Sequence, residues 1–271
     1  MKQNELVVSV SKIEYIEAVL KAGADAVCIC YRSFVKQHGD DLLSVLEQQL
    51  TYVHSLSKKL YFAFDFFAHN EDIAMLKELF LKLQSRIKAL PDAIVVYDPG
   101  VFRLVKIMLP AVAIHISATM NVTNNHVCDL WKTYGATRVE LAHVLSSDAA
   151  IQLAQKHVED VETGVFIYGI PCISYSGRRL LSGFLEECHV SETASEYFVM
   201  EEQRQGEYYK VEQDERGTYV FASKMRNWLS EVGRLSKAGV TAFYIEGMAY
   251  DDVQLIQAVS LCKQTINSIT D

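Results

Sequence analysis

The chain has 271 residues, of which 50% are hydrophobic and 22% are charged; this balance is typical of a packed globular protein and excludes a disordered chain. Its formal net charge is −8, and residues 186–215 alone carry ten acidic and two basic side chains. Binding to a phosphate backbone depends on cationic side chains, so this composition argues against nucleic acid as the sole partner.

The sequence also constrains the cellular setting of the protein. No apolar run reaches the roughly 18 residues that a membrane-spanning helix needs, and the opening MKQNELVVSV does not resemble a signal peptide. Without export, the six cysteines are expected to be reduced thiols rather than disulfides. We therefore expect a cytoplasmic protein with no membrane association.

Short runs rich in β-branched residues alternate with amphipathic stretches along the whole chain. The runs predicted as strands are residues 5–10, 26–30, 60–66, 93–99, 113–118, 138–142, 164–169 and 242–247. Each is paired with a stretch of helical periodicity, and residues 225–239 supply the helix of the seventh unit. This alternation predicts an α/β fold in one domain, residues 1–271, built as a (β/α)8 TIM-type barrel, regular or irregular. A doubly wound open sheet is the alternative, because alternation does not prove closure.

One β-rich segment, residues 170–224, interrupts the alternation after the seventh strand. Within it EYFVMEE, EYYKVE and TYVFAS have the pattern of short strands separated by turn sequences. We predict a β-meander insertion within the barrel domain. It would lie at the carboxyl ends of the barrel strands, where barrel enzymes place their chemistry, as a lid or a docking surface.

Polar side chains occur on or just after the predicted strands, so a closed barrel would gather them at one rim. The candidates for catalysis are Glu246, His115 and Ser117. The candidates for ligand binding are Asp98, Asn121, Asn124, Ser174, Ser176 and Arg178. Structural alternatives stand beside these roles: Asp98 precedes Pro-Gly and suits a helix N-cap, and His115 and Ser117 share a strand face on which they could be satisfied core polar groups.

Motifs for nucleophilic or metal chemistry are weak. Ser174 and Ser176 lie in CISYSGRR, which lacks the G-x-S-x-G pattern of a nucleophile elbow. Cys172, Cys188 and His189 match no familiar zinc spacing, so no metal is predicted. Cys28 and Cys30 would share one strand face and are expected to be buried.

Several short motifs together resemble the peptidase U32 family, also called the collagenase-like protease family. They are GADAV (23–27), AHNED (68–72), DPGVFRL (98–104), IHISATMNVTN (114–124), CISYSGRRLLS (172–182), DERGTYVFASK (214–224) and IEG (245–247). The resemblance implies a barrel fold. It also implies one of two activities: a peptidase, or an iron–sulfur protein for oxygen-independent hydroxylation of RNA bases or of a quinone precursor.

The chain departs from the pattern of the cluster-binding members. Tyr168 stands where the family pattern has a His, Arg179 replaces its second Cys, and no thiol follows Cys188 until Cys262. A four-thiolate cluster needs four cysteines, so no cofactor is predicted.

The resemblance then implies a small accessory subunit. Its partner would be a larger, cysteine-complete U32 paralogue, and it would meet tRNA through that complex, in 5-hydroxylation of the wobble uridine. The candidate residues would line a residual pocket for a small anionic ligand or for the base. The alternatives are a peptidase, for which Ser174 or Ser176 with His115 is the one pairing we can suggest, and a non-catalytic scaffold.

Overall fold

The computed structural model describes residues 4–190, 196–246 and 252–269. It divides the chain into two compact units. Unit 1 comprises Met1–Tyr168 and Trp228–Asp271, and unit 2 comprises Gly169–Asn227. Within the described ranges no helix combines the length and the apolar character that crossing a bilayer requires.

The strands, in chain order, are β1 (Glu5–Val10), β2 (Ala26–Cys30), β3 (Lys59–Phe64), β4 (Ala93–Val96), β5 (Ala113–Ile116), β6 (Arg138–Glu140), β7 (Glu162–Gly169), β8 (Cys172–Ser176), β9 (Tyr197–Val199), β10 (Tyr209–Asp214), β11 (Gly217–Phe221), β12 (Arg226–Asn227) and β13 (Val240–Glu246).

The helices are α1 (Glu14–Lys21), α2 (Tyr31–His38), α3 (Leu42–Ser55), α4 (Asn70–Arg86), α5 (Pro99–Met108), α6 (Asn125–Tyr134), α7 (Ser147–His157), α8 (Leu180–Glu187), α9 (Val232–Lys237) and α10 (Asp252–Ser268).

The strands of unit 1 form a closed ring of eight parallel strands. Neighbouring strands from β1 to β7 pair in chain order, β7 pairs with β13, and β13 pairs with β1. This closure confirms the predicted TIM-type barrel and excludes the open sheet. The outward side chains, such as Val8, Phe62 and Phe243, are fully buried against the surrounding helices, as parallel strands covered on both faces require.

The second βα unit of the barrel differs from the expected pattern. Residues 31–38, which follow β2, form an additional helix, α2, and a 3₁₀ turn at Gly39–Asp41 joins it to α3. Tyr31 and Phe34 of α2 are buried, and their rings pack on Phe62 of β3. The burial of these two aromatic side chains stabilises a helix whose remaining residues are mostly polar.

Unit 2 contains a four-stranded antiparallel sheet in the order β8-β11-β10-β9. The three segments expected to form a meander correspond to β9, β10 and β11, and β8 pairs with the free edge of β11. The turn between β10 and β11 needs a glycine, because Gly217 has a φ of +143° and an added Cβ would meet the carbonyl oxygen of Ser176 at 2.0 Å. The role of this unit as a lid or docking surface stays a prediction.

Candidate functional site

Strand alternation divides the side chains of the barrel into an outer set and an inner set. The inner set at the amino end forms a buried ionic network. Arg138 donates from Nη1 to Glu5 Oε2 at 2.6 Å and from Nη2 to Glu162 Oε2 at 2.7 Å, and the Tyr61 hydroxyl donates to Glu5 Oε2 at 2.7 Å. Burial alone would raise the pKa of Glu5, but the charge of Arg138 and the hydrogen bonds from Lys59 and Tyr61 outweigh it and lower that pKa. Barrels keep stability rather than chemistry at this end, so the network is structural.

His115 lies next to this network, inside the barrel. Its ring stacks edge-on against Tyr61 with centroids 4.8 Å apart, and the side chain is buried. Burial and the charges of Arg138 and Lys59 hold the pKa of His115 well below its usual range, so the imidazole is neutral. Its Nδ1 is buried without a hydrogen-bond partner among the described residues. His115 lies on β5, and Ser117, which follows the end of that strand, is also buried.

Glu140 occupies the next inward position after Arg138 on β6. The Ala118 N–H donates to Glu140 Oε2 at 3.3 Å, and the Tyr244 hydroxyl also hydrogen-bonds to the carboxyl group. Burial raises the pKa of Glu140 to about 7, and the Glu246 charge adds to the rise, although the Ala118 N–H, Arg138 and the Tyr244 hydroxyl oppose it. A carboxyl group that titrates near neutral pH can accept or donate a proton under working conditions.

Several inward residues at the carboxyl end of the barrel strands are not fully buried. Ser9, Tyr97, Glu140 and Glu246 are each partly exposed. The outward residues that flank them on the same strands, including Val8, Val10, Val139 and Ile245, are buried. Ser9, Tyr97, Glu140 and Glu246 therefore form a partly exposed group at the carboxyl end of the barrel strands, here named the barrel mouth.

The two cysteines of β2 face the same interior. Cys28 and Cys30 are buried, and burial raises the pKa of each thiol well above its usual value. The charges of Asp65 and Glu246 add to the rise at both thiols, and the charge of Glu140 adds to it at Cys28. Both are therefore neutral thiols rather than thiolates. Asp65 is held by Arg32, whose Nε donates to Asp65 Oδ2 at 2.8 Å.

Several of the residues predicted to bind a ligand cap helices or turns. Asp98 is the N-cap of α5, and its Oδ1 accepts the N–H groups of Gly100 at 2.7 Å and Val101 at 3.0 Å. Asn124 caps α6 by accepting the N–H of Val127 at 3.2 Å. Both side chains use an oxygen that a ligand would otherwise take, so the capping alternative accounts for their positions. Ligand binding by either residue stays a prediction.

Ser117 and Asn121 bound a short 3₁₀ turn that follows β5. The Ser117 Oγ accepts the Thr119 hydroxyl at 3.1 Å and the Thr119 N–H at 3.3 Å. Asn121 has a left-handed backbone with a φ of 55°, a conformation that Asn tolerates better than most residues. The turn positions Ala118, whose N–H contacts Glu140.

Ser174, Ser176 and Arg178 belong to unit 2, on β8 and the turn that follows it. The Ser176 Oγ accepts the Arg178 N–H at 3.3 Å, and the Cys172 thiol donates to the carbonyl oxygen of Ser174 at 3.3 Å. Ser174 and Arg178 are exposed. The structure thus groups these three residues within unit 2, whereas Glu246, His115 and Ser117 share the interior of unit 1.

The cysteines do not fit a four-thiolate cluster. Four of them, Cys28, Cys30, Cys128 and Cys262, are buried in unit 1. Unit 2 contains Cys172, which is half-buried, and Cys188, which is exposed. Across residues 4–190, 196–246 and 252–269, no group of three or more His, Cys, Asp and Glu side chains could hold a metal ion. We derive no chemistry from an iron–sulfur group in this chain.

Glu140 and Tyr244 are among the site residues that sequence reasoning missed. Both lie inside predicted strands, in RVELA and AFYIEG, where the apolar pattern indicated core positions. The available signal was the inward register that Arg138 and Glu140 share, because two charged residues on one face of a buried strand require partners.

This chain is similar over most of its length to several proteins of known name. A tRNA hydroxylation protein P from Escherichia coli (strain K12) is 30% identical over 247 residues, which cover 74% of this chain and 54% of that protein. The tRNA hydroxylation protein P2 of Bacillus subtilis (strain 168) is 25% identical over 274 residues, 98% of this chain and 87% of that protein. A collagenase of Porphyromonas gingivalis is 25% identical over 90% of this chain and 61% of that protein.

The chain is shorter than most of these relatives. It spans between 52% and 65% of the length of four tRNA hydroxylation proteins P. Among solved structures, the U32 peptidase Mk0906 superposes with a TM-score of 0.55 at 12% identity, over 92% of this chain and 95% of that one. That likeness concerns the fold alone. The sequence profile described as Peptidase family U32 matches residues 11–271. The match confirms the resemblance that the motifs suggested, and the chain belongs to peptidase family U32.

Proposed function

We propose that this protein is an accessory subunit in oxygen-independent hydroxylation of tRNA, at carbon 5 of the wobble uridine. The similarity to the tRNA hydroxylation proteins carries the proposal, above all the match to protein P2 of Bacillus subtilis, which includes 98% of this chain and 87% of that protein. A role in tRNA modification also suits the expected location in the cytoplasm.

The cysteine content supports an accessory role rather than an independent one. Members of the family that hold a cluster use four thiolates, whereas unit 2 has only Cys172 and Cys188. The redox centre would then reside in a larger, cysteine-complete U32 paralogue that binds this chain. The acidic segment 186–215 suits contact with a protein better than contact with RNA, so tRNA would be reached through the complex.

Two measurements test the proposal. Deletion of the gene should abolish or strongly reduce hydroxylated wobble uridine in total tRNA, measured by nucleoside mass spectrometry, and the wild-type gene should restore it. An unchanged modification level would reject the role. Affinity purification of the tagged chain should recover the larger paralogue in stoichiometric amount, whereas recovery of the chain alone at native expression would reject the partnership.

The similarity to the collagenase supports a peptidase as the second candidate. That activity needs a nucleophile with a base within hydrogen-bond reach, or a metal-bound water. The hydrogen bond described for the Ser176 Oγ comes from the Arg178 N–H, and the imidazole of His115 is neutral and buried against Tyr61. Release of peptides from gelatin or casein by the purified protein, lost in a Ser176→Ala variant, would favour the peptidase.

A further inference from the structure

We propose that two copies of this chain associate through helix α8 of unit 2, with the two helices antiparallel about a twofold axis. The contact surface is the exposed side of α8, Leu180–Glu187. The inference goes beyond the proposed function and does not depend on it, because it is argued from the described residues of unit 2 alone.

Helix α8 carries apolar side chains on two opposite sides. One side packs on the sheet of unit 2, where Leu185 is buried and Gln213 Oε1 accepts the Leu181 N–H at 2.9 Å. Leu180 and Phe184 share the other side by helical spacing and are 51% and 65% exposed. A helix that is apolar all round is normally buried on every side. The second side of α8 therefore suits contact with another protein surface.

Gly183 lies on this exposed side, in the middle of the helix. Glycine inside a helix costs stability, because it loses more conformational freedom on folding than any other residue. Its φ is not positive, and an added Cβ would meet no atom within 4 Å among the described residues. Neither backbone conformation nor packing within that part of the chain requires glycine here. A residue without a side chain does let a second helix approach closely.

The charges at the two ends of α8 oppose the helix dipole. Arg178 and Arg179 precede its first residue, whereas Glu186 and Glu187 end its last turn. The N-terminus of a helix favours anions and its C-terminus favours cations, so both pairs of charges destabilise a single helix. All four side chains are exposed, and none is ion-paired with another of the residues that the structure describes. These charges can therefore bind groups on a partner.

The pattern of side chains along α8 is complementary to itself in the reverse direction. Arg179 and Glu187 are each four residues from Gly183, one before it and one after it. In an antiparallel pair that crosses at Gly183, Arg179 of each copy lies opposite Glu187 of the other, and the apolar side chains meet between these charges. The arginines of each copy then lie at the C-terminus of the other helix, where the dipole favours them. The twofold axis forms every such contact twice.

The other acidic side chains of unit 2 do not oppose this pairing strongly. Four of them form ion pairs with basic side chains of the same unit: Glu201 with Arg204, Glu207 with Lys224, and Glu196 and Glu212 with Lys210. Repulsion between the remaining acids of two copies is screened beyond about 8 Å at physiological ionic strength. RNA or an anionic membrane would instead bring negative charge against Glu186 and Glu187.

Analytical ultracentrifugation of the full-length chain between about 1 and 200 µM tests the inference. We expect a monomer–dimer equilibrium with a Kd on the order of 10 µM, because a contact through one short helix is smaller than a standard protein interface. Arg179→Glu and Glu187→Arg should each weaken association at least tenfold, since each places like charges opposite one another at two symmetric positions. The double variant with both substitutions should dimerise about as strongly as wild type.

Substitutions at the crossing point separate association from folding. Leu favours a helix more than Gly and has open space in the single chain, so Gly183→Leu should fold, as measured by circular dichroism, yet weaken the dimer at least tenfold. Phe184→Ser should also weaken it. Ile107→Ser, which removes an equally exposed apolar side chain from unit 1, should dimerise like wild type.

Two results would overturn the inference. One is a wild-type chain that stays monomeric up to about 200 µM, which would leave the exposed side of α8 to a different protein. The other is a double charge variant that associates as weakly as the two single variants, because the predicted charge pairs would then not exist. Loss of the tRNA modification on gene deletion is measured separately, so neither result bears on the proposed function.

Discussion

Replacement of Glu140 by Gln should stabilise the protein, and the gain should depend on pH. In the folded chain the pKa of Glu140 is raised from 4.5 to about 7, mainly by burial. Between these two values the folded state binds more protons than the unfolded state, so the wild-type protein loses stability as the pH rises from about 4.5 to 7. Gln resembles the protonated acid and removes this dependence.

The size of the effect follows from the difference between the two pKa values, 4.5 and about 7, which corresponds to about 3 kcal/mol of unfolding free energy at pH 8. Partial exposure of Glu140 reduces this figure, and we expect about 2 kcal/mol. For a chain of this size the melting temperature of Glu140→Gln should then exceed that of wild type by roughly 4 to 8 °C at pH 8. Near pH 4.5 the two proteins should melt together.

Differential scanning calorimetry of both proteins from pH 4.5 to 8 measures the effect. The difference between variant and wild type isolates Glu140, because the facing groups Glu246, Tyr244 and Arg138 are common to both. Glu159→Gln serves as the control for removal of one carboxyl group from the surface. A difference that stays constant with pH, or a variant less stable than wild type at pH 8, would refute the assignment of Glu140 as a proton-exchanging group with a raised pKa.

Three further substitutions test the barrel itself. Arg138→Ala removes the cation that the buried Glu5 shares with the partly exposed Glu162 and should cost about 3 kcal/mol in chemical denaturation, because Lys59 still binds Glu5; a loss below about 1 kcal/mol would contradict the network. Gly164→Ala places a Cβ 2.5 Å from the Tyr244 ring and should cost about 1 to 3 kcal/mol, whereas Gly183→Ala, with open space around it, should show no such steric cost. Asp98→Ala removes the N-cap of α5 and should cost about 1 kcal/mol, and an unchanged denaturation midpoint would argue against the cap.

The barrel could be predicted because its signals are local. Each strand is a short apolar run and each helix has its own periodicity. A strand–helix unit such as residues 93–108 can therefore be recognised in the sequence independently of the others. Closure of the barrel could not be predicted from such local patterns. It depends on the pairing of β1 with β13, more than 230 residues away along the chain. Helix α2 has a weak sequence signal, because only Tyr31 and Phe34 mark its buried face.

The site was harder to predict than the fold. Asp98 and Asn124 stood out as polar residues at strand ends, but both cap helices, a use that the sequence alone does not separate from ligand binding. Glu140 did not stand out, because its importance depends on depth within the barrel and on contacts from Ala118 and Tyr244, which lie on other strands or turns. The depth of a residue in the barrel and its contacts with other strands can be inferred only when the register between strands is known.

The most direct test of the account is the restoration of hydroxylated wobble uridine in a strain that lacks this gene. Plasmid-borne wild type and Glu159→Gln should both return the modification to its normal level, measured by nucleoside mass spectrometry. The empty plasmid should leave it strongly reduced. A normal level of the modification in the strain that carries the empty plasmid would contradict the claim that the protein takes part in tRNA hydroxylation.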